Sequence, residues 1–117
     1  MATDLVGNVK LQRFIELLAA LNRSTADVLK SGNTRIFPKM NETIEEMYAI
    51  QSVGTEDAYT AIADEMQCIR MNFNAIVAMM QSNETDVADF ATNVAVKKFL
   101  HNIFDATVRI ITAYGLA

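Results

Sequence analysis

One cysteine, one proline, one histidine, four glycines and no tryptophan stand in 117 residues, and each scarcity removes a class of protein. A lone Cys68 cannot form an internal disulfide, so a reducing compartment is the simpler inference and a cytoplasmic location is expected. So little proline and glycine excludes collagenous and low-complexity chains. The glycines stand alone at Gly7, Gly32, Gly54 and Gly115, so none builds a phosphate-cradling loop. A di-iron helical bundle needs inward carboxylates and two Glu-x-x-His motifs. Here the one histidine, His101, has Lys98 at the matching position, and no metal or cofactor is expected. No serine, nor Cys68, lies in a nucleophile elbow, so hydrolytic chemistry finds no local support and a non-enzymatic role is expected.

Excess positive charge is missing as well. Ten Lys and Arg face fourteen Asp and Glu, for a net charge of −4 and a sequence pI near 4.8. That balance argues against nucleic acid as a partner, because a phosphate footprint concentrates cations on one face. Long apolar runs are absent too: Lys97, Lys98, His101, Asp105 and Arg109 interrupt the most hydrophobic segment, and no membrane span is expected. The start, Met1 to Val6, lacks the basic region and apolar run of a signal peptide. The sequons at Asn22, Asn41 and Asn83 read as chance or helix-end chemistry.

What remains is 51% hydrophobic and 21% charged, enough to build one core, and a single domain over residues 1–117 is expected. The apolar period is helical throughout. Leu11, Phe14, Leu18, Leu21, Thr25 and Val28 alternate three- and four-residue steps, widened by Ile15 and Leu29, predicting a helix from Asn8 to Ser31. Gly32 falls where a left-handed cap is expected, and Pro38 belongs in the first turn of a second, shorter helix. Phe37, Met40, Ile44 and Met47 carry that helix to Gly54.

Thr55 with Glu56 and Asp57 predicts the start of a third helix, where an N-cap and acids complement the dipole. Its stripe, Tyr59, Ile62, Met66, Ile69, Phe73, Ile76 and Met80, keeps the 3,4 spacing without a miss. Ser82 to Asp86 punctuate the chain, offering Ser82 or Asn83 as N-cap for a fourth helix to Tyr114, closed by Gly115 and Leu116. Short connections make consecutive helices antiparallel neighbours, so the expected fold is all-α, an up-down antiparallel four-helix bundle with three long helices and a shorter second one.

Charge is unevenly distributed along the chain. Residues 1–39 sum to +3, residues 40–69 to −7 and residues 70–117 to zero. The acidic block, Glu42, Glu45, Glu46, Glu56, Asp57, Asp64 and Glu65, holds no Lys or Arg. It reads first as a solvated helix face and second as a landing surface for a basic segment of a partner.

Three features carry functional expectations. Seven methionines are many for this length, and Met40, Met47, Met66, Met79 and Met80 lie on or beside the apolar stripes. Core filling explains them, and so does an adaptable groove for an amphipathic helix, because the unbranched thioether repacks at little cost. The fourth helix carries more apolar residues than one seam hides, Leu100, Phe104 and Ile111 among them, so a partner helix or a two-fold homodimer covers the surplus unless that helix sits at the centre of the bundle. His101 shares a face with Lys97, Lys98, Asp105 and Arg109, the setting of a surface imidazole paired with Asp105 or of a phosphoryl acceptor.

The expectation is therefore a protein-binding module of adaptor, dedicated-chaperone or inhibitor type. Its partner surface is expected at Met40, Met47, Met79, Met80, Leu100, Phe104 and Ile111. The alternative is a histidine phosphotransfer protein that uses His101 with Lys97 and Lys98 as charge partners.

Overall fold

The computed structural model describes residues 9–53, 57–81 and 94–115. Five helices follow one another: α1 (Val9–Ser31), α2 (Phe37–Val53), α3 (Asp57–Thr60), α4 (Ala63–Gln81) and α5 (Val94–Ala113), with a 3-10 turn at Thr34–Ile36 before α2. Four of them form an all-α up-down bundle, and no strand occurs among the described residues. Packing is closest between α4 and α5, then between α1 and its neighbours α2 and α5, while α2 and α4 close the ring with a thinner seam. The fourth long helix is therefore not central. Its chief neighbours are α1 and α4.

Local chemistry explains the boundaries. Gly32 adopts φ 72°, which a side chain disfavours, and its N–H reaches the carbonyl of Val28 at 2.8 Å, closing α1. The Asn33 side-chain carbonyl then accepts the N–H of Arg35 at 3.1 Å, an Asx turn that redirects the chain into the 3-10 segment. Pro38 follows in the first turn of α2, where its missing N–H costs nothing. At the far end Gly115, at φ 70°, donates to Thr112 O at 3.0 Å and terminates α5.

The core is one cluster fed by all four long helices. Leu11, Phe14, Leu18 and Leu21 come from α1, and Phe37, Met40, Ile44 and Met47 from α2. Met66, Ile69, Phe73 and Ile76 come from α4, and Val96, Leu100, Ile103 and Ile110 from α5. Tyr59 of α3 and Ile62 join them. Phe73 meets Phe37 edge-on at 6.1 Å across the α2–α4 seam, and Phe14 meets Tyr59 at 5.8 Å and Tyr114 at 6.4 Å, setting the start of α1 beside the end of α5.

The buried threonines are satisfied locally: Thr25 donates to Leu21 O at 2.7 Å and Thr43 to Lys39 O at 2.9 Å. Thr107, fully buried, donates to Phe104 O at 2.6 Å and accepts from Asn22 Nδ2 at 2.9 Å.

One expectation needs correction. The stripe that predicts a single third helix is interrupted at Ala61 and Ile62, where the chain leaves the helix for a turn and the Ile62 N–H bonds Tyr59 O, three residues back, at 3.3 Å. Tyr59 and Ile62 nonetheless stay buried at 2% and 1% exposure, so the apolar spacing survives a break in the backbone ladder. The expected start of the fourth helix, Ser82 to Asp86, and the expected cap at Thr55 lie outside the described residues.

Candidate interaction surface

The methionines divide. Met40, Met47 and Met66 are fully buried. They fill the core, so the expectation that Met40 and Met47 line a partner groove does not hold: a side chain enclosed by its own bundle offers nothing to a second protein. Leu100 is corrected for the same reason, at 0% exposure. Met79 is partly buried against the core, and the side chain of Met80 lies outside the described residues. The one strongly exposed methionine among the described residues is Met71 at 61%, which the periodicity of the stripes does not single out.

Of the expected surface, Phe104 and Ile111 remain, both half-buried on α5. Val108 joins them at 38% exposure, four residues after Phe104 and three before Ile111, so the three form a strip along the helix beside the buried row Leu100, Ile103, Thr107 and Ile110. The Asn22–Thr107 hydrogen bond identifies the neighbour of this strip. Ala19 and Ala26, three and four residues from Asn22, share its face of α1 and are half-buried. Small side chains on α1 thus stand across the α1–α5 seam from the larger ones on α5.

His101 is exposed on the same strip, one turn before Phe104 and one turn after Lys97. No hydrogen bond or ion pair joins it to Asp105 among the described residues. Arg109, expected on the same face, turns instead to Glu65 of α4 at 3.7 Å.

The acidic block is drawn into the bundle. Glu46 takes a forked pair of hydrogen bonds from Arg13 of α1 at 2.7 and 3.1 Å. Arg13 holds the Glu46 carboxyl below the usual carboxylate range, and the carboxylate raises the guanidinium in turn. Glu45 meets Arg70 of α4 at 2.8 Å, and that guanidinium lies over the Tyr48 ring at 5.1 Å. Glu42 meets Lys39 at 3.9 Å, and Glu65 meets Arg109. Three of these four carboxylates thus pair with cations from other helices, which weakens the block as a surface for a basic partner.

Cations stay unpaired on the opposite side. α1 and α5 together carry seven Lys or Arg and three Asp or Glu, a balance of +4, while α2 and α4 carry two and five, a balance of −3. Since α1 packs on α5 and, more thinly, α2 on α4, the described residues form a basic layer and an acidic one. Arg23, Lys30, Lys97 and Lys98 make no ion pair among the described residues.

A polar cluster ties α4 to α5. Asn102 Nδ2 donates to Asn72 Oδ1 at 2.9 Å, and Asn72 Nδ2 donates to Cys68 O at 2.7 Å and lies 3.4 Å from its Sγ. With Asp64, Gln67 and Met71 the α4 members line a shallow, open depression. The sequence signal for this cluster was faint: Asn72 and Asn102 each precede a core residue, Phe73 and Ile103.

Among the described residues no helix is long and apolar enough to cross a membrane, and no group of three or more His, Cys, Asp or Glu is placed to hold a metal ion. Compared with known proteins, the chain matches no protein-family model, no curated protein and no solved structure.

Proposed function

We propose that the protein acts by binding another protein, as an adaptor, dedicated chaperone or inhibitor without chemistry of its own, through the outer strip of α5. One observation carries the reading: apolar side chains continue around α5 past the core row, with Phe104 and Ile111 half-buried and Val108 at 38% exposure. A contiguous apolar strip left open to water marks an interaction surface more often than an isolated exposed side chain does. Val108→Asp tests it. Affinity isolation from native extract with the wild-type chain should recover a partner that the variant, with an unchanged thermal melt, loses. Recovery of the same partner by both chains would refute the strip.

A second reading rests on the exposure of His101 beside Lys97. A phosphotransfer protein should carry an acid-labile phosphate after incubation with acetyl phosphate, and His101→Gln should abolish it. Phe104, one turn on, is bulkier than an approaching receiver domain favours, which places this reading second.

A further inference from the structure

The geometry points to an acidic amphipathic helix as the partner that lies along the α1–α5 seam, a partner chemistry opposite to the one the acidic block of the sequence suggests. The inference rests on the α5 strip being a protein-binding surface, and it adds the charge and shape of what binds there.

Asn22 lies opposite Thr107, and α1 and α5 run antiparallel, since Phe14 meets Tyr114. Lys30, eight residues after Asn22, therefore comes level with the stretch of α5 around Lys97 to Leu100. Both lysines are exposed at the same end of the seam, one on each helix. Arg23 stands one turn before Ala26 and two before Lys30, and His101 one turn after Lys97. Farther along, the apolar strip is Phe104, Val108 and Ile111.

The acids of the α1–α5 layer are Glu16, Asp27 and Asp105, of which Glu16 already bonds Arg13 at 3.4 Å. No carboxylate pairs with Arg23, Lys30, Lys97 or Lys98 among the described residues, whereas Glu42, Glu45, Glu46 and Glu65 of the acidic layer are each matched with a cation. Carboxylates from outside are what these cations lack. Such pairs supply orientation and speed of encounter more than affinity, which the apolar strip must provide.

Lys97 to Ile111 is fourteen residue steps, roughly 21 Å at 1.5 Å per residue, the length of a helix of about four turns. A second copy related by a two-fold axis would set one basic layer against another and repel. An anionic membrane would match the charge, but interfacial helices project bulky apolar side chains outward, and here the two bulkiest, Phe104 and Ile111, are half-buried.

The test uses the full chain and two labelled synthetic helical peptides of about sixteen residues with one leucine stripe, one peptide with glutamate on its polar face and one with lysine. Fluorescence anisotropy should show the glutamate peptide binding at least tenfold more tightly, with affinity falling as salt rises. The double reversal Lys30→Glu with Lys97→Glu should abolish or invert that preference, and Val108→Glu should weaken both peptides. Equal binding of both peptides, lost in Val108→Glu, overturns the acidic partner and leaves the strip standing. Binding of neither peptide overturns both. A wild-type dimer in light scattering that Val108→Glu disperses, or binding to phosphatidylglycerol vesicles without preference for the glutamate peptide, also overturns it.

Discussion

Asn102 on α5 and Asn72 on α4 share a hydrogen bond of 2.9 Å, and the amide of Asn72 is held in turn by the Cys68 carbonyl at 2.7 Å. Each amide fixes the other's orientation across the closest-packed seam of the bundle. Asn102→Ala should cost about 1 kcal/mol, since it leaves the half-buried Asn72 oxygen without its donor. A double-mutant cycle with Asn72→Ala, followed by urea unfolding, should return a coupling of about 0.5–1 kcal/mol, and additive losses would show that the bond contributes nothing.

Phe73 is 2% exposed and packs edge-on against Phe37. Phe73→Ala should lower stability by about 3–5 kcal/mol through the cavity it leaves. A loss below about 1 kcal/mol in urea melts would place the ring outside the core.

Two methionines separate core from surface. Met47, at 0% exposure, should cost about 2–5 kcal/mol on replacement by alanine, whereas Met71, at 61%, should change stability by no more than about 0.5 kcal/mol. Equal losses at the two positions would contradict the burial described above.

Glu46 gives an acid-side signature. Its carboxyl is held below the ordinary value of 4.5 chiefly by the Arg13 hydrogen bond, so the folded chain binds that proton less readily than the unfolded chain. The associated stability is present above the unfolded value and disappears as pH falls through the folded one. Glu46→Gln should therefore shift the urea midpoint near neutrality and shift it by less at about pH 3, below the unfolded value, where the unfolded chain is already protonated. A shift equal at both pH values would show that the charge plays no part.

Tyr114 gives the alkaline counterpart. Burial, with Tyr59 beside it, raises its phenol above the ordinary value of 10.0. A raised folded value means stability that is complete below the unfolded one and declines as pH climbs past it. Between about pH 9 and pH 11 the wild type should lose more stability than Tyr114→Phe, measured as the shift in urea midpoint. Parallel losses would assign the alkaline instability to other groups.

Much of this architecture was legible from spacing. The row Tyr59, Ile62, Met66, Ile69, Phe73 and Ile76 is buried throughout, and Gly32 and Gly115 adopt the left-handed conformation their positions suggest. The turn at Ala61 and Ile62 was not legible, because burial follows the position of side chains and a local break can preserve it. Nor were the partners of the acidic block. Arg13 and Glu46 are 33 residues apart, and such pairs exist only once helices are set side by side. The methionine stripes were ambiguous for another reason: periodicity marks a face as apolar without saying whether its own chain or another covers it, and for Met40 and Met47 the chain covers it.

Among the described residues the basic and acidic layers set up an electrical polarity across the four long helices, which the chain's net charge of −4 conceals. An approaching charged body is turned before it touches, and at about 0.1 M salt this torque acts within roughly 10 Å of the surface. Titration curves and isoelectric position report only the sum. Between these two layers it is the difference, and not the sum, that orients a charged neighbour.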